Sequence, residues 1–325
     1  MERYIISLDL GTTNVKVALY NSKLEEINVN SLKVKYTGKG DFVEFDPEGY
    51  WVLCRESIKS SIMSAGIDPK NVASLSITGQ AESLVLLDSK YRPLRPAISW
   101  MDERSKKECK ILGSHFNKEE GYNVTGLPEV ITTVPISKIL WIKRNEPEIF
   151  KRARKFLLIK DFIIFKLTNR FISEYSTYSF SYYFDIVKKR YWQEILDFVN
   201  VKKDQLPELI EPGESAGRVS DEIAEEFNFS KTTEINAGAL DHFAGMIGAG
   251  NVREGILSET TGTVLAMAML TKVPQINKFS QPCHCSAIKN SYVLLPVCES
   301  GGVSLEWFRD NFFDLLSGAS QYIKR

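Results

Sequence analysis

A polar turn between two short apolar runs near the start of the chain constrains the fold more than any other feature. The apolar runs are residues 4–6 and 17–20, and Gly11 lies in the turn between them. This pattern predicts a β-hairpin, because a glycine can adopt backbone angles that a Cβ forbids. A second strand follows the turn, where a P-loop protein has a helix, and no G-x-x-x-x-G-K-[ST] sequence is present. The chain is therefore not predicted to be a P-loop protein.

The turn carries groups that suit a metal ion and phosphate. Asp9 ends the first strand, where its carboxylate can reach a hydrated Mg²⁺ ion. The backbone N–H groups and hydroxyls of Thr12 and Thr13 can bind phosphate oxygens, as consecutive amides in a turn do. These residues alone leave open an ordinary hairpin, in which Asp, Gly and Thr only shape the turn.

Composition and charge exclude several classes of protein. The chain has 325 residues, 43% hydrophobic and 25% charged, which is typical of globular proteins and predicts roughly two domains. Its 41 basic residues balance 41 acidic ones without a long basic block, so nucleic acid is not a predicted partner. No apolar run approaches the ~20 residues of a membrane helix, and residues 1–3 lead straight into a strand. We therefore predict a cytoplasmic protein with no membrane partner.

The cysteines predict neither disulfides nor a metal site. The five cysteines are scattered, and their odd number does not resemble the framework of a small secreted domain. Cys283-His284-Cys285 resembles half of a zinc site. No second pair of ligands follows at the spacing of a zinc finger, however, so zinc is not favoured.

Asp241 marks a second candidate site. A short strand over residues 234–236 runs into a Gly/Ala turn, and Asp241 is predicted as the N-cap of a helix rich in small residues. A capping Asp is commonly structural, and that interpretation stays open. Folds of the α/β class, however, tend to place their sites at the ends of strands beside glycines.

A third candidate, Thr261-Gly262-Thr263, lies between two apolar strands and repeats the chemistry of the first turn. One such turn carries little information by itself. Two of them, remote in sequence and accompanied by two separate carboxylates, could hold one polyphosphate from both sides.

The remaining pattern predicts an α/β chain. Asp46 is a predicted N-cap and Pro47 the first residue of a helix that ends near Gly66. Residues 173–185, rich in Ser, Thr, Tyr and Phe, are predicted as a loop packed on the core. Further helices are predicted over residues 103–112, 135–144, 148–154, 160–167, 191–198 and 221–227, and further strands over residues 26–36, 72–78, 84–88 and 156–159.

Together these motifs resemble those of the FGGY carbohydrate kinases, the family that includes glycerol kinase and xylulokinase. Each match is weak alone, but many in the family's order and approximate spacing are specific, and they span nearly the whole chain. The matching segments are Asp9-Leu10-Gly11-Thr12-Thr13 with Lys16, Gly79-Gln80, Trp100-Met101-Asp102-Glu103-Arg104, Lys160-Asp161-Phe162 with Leu167-Thr168, Ser176-Thr177, Gly238-Ala239-Leu240-Asp241, Thr261-Gly262-Thr263, and residues 299–310.

The resemblance implies an α/β, actin-like ATPase fold of the ribonuclease H-like type, with two domains around a cleft. Residues 1–252 would form the N-terminal, sugar-binding domain, and residues 253–325 the start of the C-terminal, ATP-binding domain. Family members continue past the position of Arg325, so the second domain is expected to be incomplete, with ~70 residues where a stable domain needs more. ATP and Mg²⁺ are the implied cofactors. A sugar or polyol and ATP are the implied partners, and a homodimer is left open.

The family pattern also implies roles for individual residues, with Asp241 as the catalytic base and Asp9 near the metal. A carboxylate within reach of a hydroxyl can take its proton, and carboxylates suit a ligand made largely of O–H donors. The phosphates of ATP would be held by Gly11, Thr12, Thr13, Asn14, Lys16, Thr261, Gly262 and Thr263. The sugar or polyol would contact Gln80, Ala81, Glu82, Trp100, Asp102, Asp241 and His242.

Two positions depart from the family pattern. Ala81-Glu82 stands where glycerol kinases carry Arg-Glu and xylulokinases Met-His, which puts glycerol in doubt and leaves a ketose or another polyol open. His242 stands where Gln or Asn is more usual, and it would bind the substrate or orient Asp241. Beside a kinase, two other functions stay open: a non-catalytic sugar-binding or regulatory fragment of a kinase, and an ATPase without a small substrate.

Overall fold

The structure, a computed structural model, describes residues 2–261, 265–298 and 300–316. The strands are β1 (Tyr4–Leu10), β2 (Asn14–Asn21), β3 (Glu26–Lys33), β4 (Glu44–Phe45), β5 (Val72–Gly79), β6 (Leu84–Leu87), β7 (Ala97–Ile98), β8 (Lys155–Leu158), β9 (Ile172–Glu174), β10 (Phe184–Asp185), β11 (Arg190–Tyr191), β12 (Glu208–Ile210), β13 (Ser215–Arg218), β14 (Glu234–Asn236), β15 (Leu257–Thr261), β16 (Leu265–Thr271), β17 (Cys283–Cys285), β18 (Tyr292–Leu294) and β19 (Val297–Cys298). The α-helices are α1 (Pro47–Ala65), α2 (Lys106–His115), α3 (Lys118–Thr125), α4 (Pro135–Asn145), α5 (Pro147–Arg152), α6 (Ile159–Thr168), α7 (Tyr175–Tyr178), α8 (Gln193–Val199), α9 (Asp221–Phe227), α10 (Asp241–Gly248) and α11 (Gly302–Leu316).

A six-stranded mixed sheet in the order β13-β14-β5-β1-β2-β3 contains the predicted hairpin. β1 pairs antiparallel with β2 and parallel with β5. Alternate residues of the two hairpin strands face the core, so Leu8 and Val17 have no exposed surface. In this register Asp9 lies opposite Lys16 near the turn, which confirms the hairpin and places its charged residues at one end of the sheet.

The remaining strands form smaller sheets and strand pairs. They have the orders β4-β7-β6-β8 and β15-β16-β18-β17, with β19 paired to β16, and the strand pairs β10-β11 and β12-β9. In the six-stranded sheet, β5 and β14 run parallel, so the residues that follow them leave the sheet at the same edge.

Helix α1 has the predicted ends. The Asp46 side chain accepts a hydrogen bond from the backbone N–H of Glu48 at 3.0 Å, and Pro47 occupies the first turn. Gly66 ends the helix in the left-handed conformation, with φ +64°. The helix packs its apolar stripe on β2 and β3, and Ile58 of that stripe is fully buried.

The apolar core of the described residues forms three clusters. The first surrounds the six-stranded sheet with α1 and α6. The second lies around β6 and β8 and includes Cys283, Cys285, Tyr292 and Leu294 of β17 and β18. These late strands thus share a core with elements of the first half of the chain. The division at residues 252 and 253 is not marked by separate clusters, and it remains a prediction.

Several predicted elements differ from the observed ones. Residues 173–185, predicted as a loop, contain β9, α7 and β10. Helix α2 begins at Lys106, and the helix α3 had no predicted counterpart. Helix α2 begins three residues after its predicted start at residue 103. The physical cause is a buried ion pair between Asp102 and Arg104, which fixes these residues outside the helix.

In the described part of the chain, none of the helices combines the length and apolarity that crossing a bilayer requires.

Candidate active site

The hairpin turn is held in place by side chains from three other parts of the chain. The Tyr50 hydroxyl and the Gln80 amide donate to the carbonyl oxygen of Gly11 at 2.9 and 3.4 Å. The Trp100 indole donates to the hydroxyl oxygen of Thr12 at 2.8 Å. A Cβ on Gly11 would lie 2.6 Å from a backbone oxygen, so the close approach requires glycine. The turn is therefore preorganised, and Thr13 at its tip is exposed.

Asp9 lies at the end of β1 within electrostatic reach of Asp241. Partial burial and the negative charge of Asp241 both raise the pKa of Asp9, and Lys16 opposes them. The Lys16 ammonium is 3.9 Å from the Asp9 carboxylate and remains mostly exposed. Two carboxylates remote in sequence thus lie within electrostatic reach of one another, and the exposed ammonium of Lys16 lies near one of them.

Asp241 follows a turn that is packed tightly against β5. Gly238 has φ +58°, and a Cβ there would lie 2.0 Å from the carbonyl oxygen of Ile77. The Thr78 hydroxyl donates to the carbonyl oxygen of Ala239 at 2.8 Å. The N-cap of α10 is Leu240, so the prediction that Asp241 is the N-cap is wrong by one residue. Asp241 is the first residue of the helix, where the helix dipole still stabilises a negative charge.

The Asp241 carboxylate is oriented by its own helix. One oxygen, Oδ1, accepts the backbone N–H of His242 at 2.7 Å. Among the residues that the structure describes, Oδ2 has no hydrogen-bond partner. The side chain is part-exposed, so this second oxygen can meet a ligand hydroxyl.

Glu82 joins Asp9 and Asp241 as a third acidic residue of the site through its electrostatic interaction with Asp241. It has φ +69°, a left-handed conformation that is uncommon for a side chain of this size. The Thr133 hydroxyl donates to its carboxylate at 2.9 Å. Burial raises the pKa of Glu82, and Asp241 raises it further, whereas Lys138 and Thr133 oppose the shift. Glu82 therefore lies within electrostatic reach of Asp241.

Lys138 lies behind this group without reaching its surface. Its side chain has no exposure, and its ammonium donates to the carbonyl oxygens of Thr133 and Trp100 at 2.7 and 3.4 Å. Burial lowers the pKa of Lys138, and the negative charge of Glu82 opposes that shift. Neither Thr133 nor Lys138 was singled out from the sequence, because only the fold brings α4 next to the junction at Glu82.

Asp102 does not belong to this group, which corrects the prediction that it contacts the substrate. Both of its oxygens pair with the Arg104 guanidinium, at 2.8 and 2.7 Å, and one also accepts the backbone N–H of Val43 at 2.6 Å. The side chain has no exposed surface. A buried carboxylate satisfied in this way holds the loop after Trp100 and has no oxygen left for a ligand.

The neighbouring candidates Gln80 and Ala81 are also mostly buried. The Gln80 carbonyl accepts the Ser83 hydroxyl at 2.7 Å, while its amide braces the hairpin turn. Ala81 packs against Leu240 and Phe243. The structure thus brings both residues next to the site, where they support the turns that carry Asp9 and Asp241.

The Cys283-His284-Cys285 strand forms no metal site in the described residues. The two thiols face the second cluster, and the His284 ring lies on the opposite face, stacked on Phe180 at a centroid distance of 3.8 Å. Burial, with a smaller contribution from His242, lowers the pKa of His284 to about 3. The two histidines therefore lie near each other, which places β17 beside the start of α10.

The second predicted phosphate turn is described only in part. Thr261 is exposed at the end of β15, and its hydroxyl donates to Glu259 at 2.6 Å. Gly262 and Thr263 lie outside the described residues, as does Glu299 of the last matching segment. That the two turns hold one polyphosphate accordingly remains a prediction.

The donor set fits a hydrated Mg²⁺ ion. Within residues 2–261, 265–298 and 300–316, no three His, Cys, Asp or Glu side chains converge as a protein-only metal cage would require. Mg²⁺ usually keeps several waters and binds one or two carboxylates together with substrate phosphates. Asp9, part-exposed beside the braced Thr12 and Thr13, is a ligand of that kind.

The mixed sheet, with its leading hairpin and parallel strands β5 and β14, defines a protein with the actin-like ATPase fold. Residues 4–248 match the N-terminal domain of the FGGY family of carbohydrate kinases, and the chain belongs to this family.

The similarity extends over the chain but not over the whole of its relatives. The chain is 31% identical over 316 residues to the xylulose kinase of Lactococcus lactis, which covers 95% of this chain and 62% of that protein. Crystal structures of a gluconate kinase and of a ligand-bound xylulose kinase from Lactobacillus acidophilus each match with a TM-score of 0.89 at 27% identity, over 96% of this chain and 63% of theirs. The chain thus spans less than two thirds of the length of these relatives.

Proposed function

We propose that the protein represented by this chain transfers the γ-phosphoryl group of ATP to a hydroxyl of a sugar or polyol. The observation that carries the proposal is the braced hairpin turn with its two threonines beside Asp9, together with Asp241, which lies within electrostatic reach of both Asp9 and Glu82. Phosphoryl transfer asks a protein mainly to align the accepting hydroxyl and to offset charge on the phosphate oxygens. A free carboxylate oxygen, a metal-binding carboxylate and a turn of N–H donors supply those requirements.

Each residue of the group has a proposed role. Asp241 accepts the proton of the attacking hydroxyl on Oδ2, while its Oδ1 stays on the His242 amide. Asp9 would hold hydrated Mg²⁺, which would neutralise charge on the phosphate oxygens of ATP. The phosphates contact Gly11, Thr12, Thr13, Asn14 and Lys16 in this proposal, and a contact with Thr261, Gly262 and Thr263 remains a prediction from the sequence. Glu82, Trp100 and His242 contact the substrate, supported by Gln80 and Ala81.

A neutral polyhydroxylated substrate suits these charges better than an acidic one. The named relatives act on xylulose, which is neutral, and on gluconate, which carries a carboxylate. In this chain Asp241 would repel a ligand carboxylate, and Glu82 would add to that repulsion when it is ionised, above its raised pKa of about 7. We therefore propose a ketose or another neutral polyol.

A coupled assay of ADP release tests the function. The protein is incubated with ATP and Mg²⁺ alone and with each member of a panel of ketoses, polyols and aldonates. Release that requires a sugar supports the kinase, and release without one supports an ATPase. Sugar binding without release supports a non-catalytic sugar-binding fragment.

A cytoplasmic location and a homodimer remain predictions from the sequence.

A further inference from the structure

The short helix α7 contacts the turn that carries Asp241. The backbone N–H of Leu240, the residue before Asp241, donates to the hydroxyl oxygen of Ser176 at 3.1 Å. Ser176 has no exposed surface, and Leu240 is almost fully buried. A buried N–H without a partner is costly, so this hydroxyl fixes one end of the peptide that leads into Asp241.

Ser176 is itself held by a buried ion pair. The Glu174 carboxylate accepts the backbone N–H of Ser176 at 2.6 Å and that of Thr177 at 3.1 Å. It also pairs with the Lys160 ammonium at 2.6 Å, and neither side chain is exposed. Removing either partner would leave an uncompensated buried charge, so the pair holds the start of α7 in place.

Strand β5 fixes the same turn from the other side. The Thr78 hydroxyl holds the carbonyl oxygen of Ala239, and Gly79 forms a β-bridge with Leu240. The turn therefore lies between a strand of the six-stranded sheet and α7. Removing the contact from α7 would leave the peptide before Asp241 held on one side only.

We propose that Ser176, oriented by Glu174 and Lys160, is a positioning residue that fixes the backbone from which the Asp241 carboxylate reaches the substrate. This inference rests on the proposed role of Asp241 as base. The segments that contain Lys160 and Ser176 match the family pattern, but the sequence assigned them no role. The inference gives them a role at the site. Small displacements of a reacting group reduce turnover strongly, so the contact matters for the rate more than for sugar affinity.

The test compares Ser176→Ala with Ser179→Ala. Ser179 is buried three residues later, and its hydroxyl donates to the carbonyl oxygen of Ser176 at 2.7 Å without contacting the Asp241 turn. Each variant loses one buried hydroxyl from the same segment. In sugar-dependent ADP release we expect Ser176→Ala to lower kcat at least ~10-fold with the sugar KM within ~3-fold, and Ser179→Ala to change neither by more than ~3-fold.

Amide hydrogen exchange provides a second measurement that does not need turnover. The Leu240 amide should exchange at least ~10-fold faster in Ser176→Ala and at the wild-type rate in Ser179→Ala. Equal kcat in the two variants, a parallel loss of kcat and sugar affinity, or unchanged exchange at Leu240 would each overturn the inference. Wild-type protein that releases no ADP with any sugar contradicts the proposed function instead, and the exchange measurement then still decides whether Ser176 holds the turn.

Discussion

At the scale of single residues, two carboxylates with the same predicted role have different surroundings. Asp102 is paired on both oxygens with Arg104 and is fully buried, so it stabilises a loop. Glu82 accepts the Thr133 hydroxyl and lies within electrostatic reach of Asp241 and Lys138. The residue type suits either role, and the neighbours supplied by the fold decide between them.

Replacing Asp241 by Asn tests its role as base. Asn keeps the size and the oxygen that accepts the His242 amide, but it cannot accept a proton at neutral pH. We expect kcat for sugar phosphorylation to fall at least ~10²-fold, with sugar affinity within ~3-fold of wild type. The control is Asp221→Asn, which makes the same change at the first residue of α9, on the surface. Near-normal turnover of Asp241→Asn would remove it from this role.

Replacing Glu82 by Gln tests the preference for a neutral substrate. Above the raised pKa of Glu82, about 7, the change removes one of the two negative charges that repel a ligand carboxylate, and it retains the acceptor for Thr133. We expect the ratio of gluconate affinity to xylulose affinity to rise ~10-fold, because like-charge repulsion costs binding energy. Calorimetry of both ligands measures the ratio, with the exposed Glu148→Gln as control. An unchanged ratio would show that Glu82 does not select against acidic sugars.

At the scale of elements, the junction of β8 and α6 depends on one buried carboxylate. Asp161 accepts the backbone N–H of Leu158 at 2.8 Å and the Tyr178 hydroxyl at 2.7 Å. The strand, the helix and α7 therefore meet at one side chain. Burial raises the pKa of Asp161 to about 6, although these hydrogen bonds favour its ionised form.

This raised pKa predicts a pH dependence of stability. The folded protein binds the Asp161 proton more tightly than the unfolded chain does, so this contribution to the free energy of unfolding is present at low pH and declines as the pH rises from ~4 to ~6, by up to ~3 kcal/mol. In Asp161→Asn the contribution is absent. Urea unfolding at several pH values should show the difference between wild type and variant shrinking across that range. Parallel curves would contradict the assignment.

At the scale of the whole molecule, late strands complete a core begun in the first half of the chain. Cys283 and Cys285 of β17 lie in the cluster around β6 and β8, and the backbone N–H of Cys283 donates to the carbonyl oxygen of Gly126 at 2.9 Å. Cys298 follows Cys283 by fifteen residues and is exposed. The chain from β17 to β18 is therefore docked on elements of the first half of the chain.

Thiol labelling tests this docking. Burial raises the pKa of Cys283 to about 11 and also raises the pKa of Cys285 and of Cys54 in the first cluster. With iodoacetamide at pH 8, followed by mass spectrometry, Cys298 should react first. Cys283 and Cys285 should react only as slowly as Cys54, which is the internal control. Labelling of Cys283 and Cys285 at the rate of Cys298 would mean that β17 is not part of the shared core.

The sequence by itself determined the features that depend on neighbouring residues. The hairpin around Gly11 and the ends of α1 at Asp46 and Gly66 follow from local turn chemistry and the period of the apolar residues, and the fold class follows from the resemblance of the ordered motifs to the FGGY family. The same local signals predicted Asp241 as the N-cap of a helix, whereas the N-cap is Leu240, one residue earlier.

Only the tertiary structure decided which polar residues meet. It places Asp9 and Asp241, which are 232 residues apart in the sequence, within electrostatic reach of each other. It also places the Thr133 hydroxyl on the Glu82 carboxylate and pairs Asp102 with Arg104 in a buried ion pair. It also made α7 a helix where the composition predicts a loop, because Glu174 caps it from a buried pair with Lys160. The free energy of a charge depends on burial and on distant partners, and neither is encoded in the residues next to it.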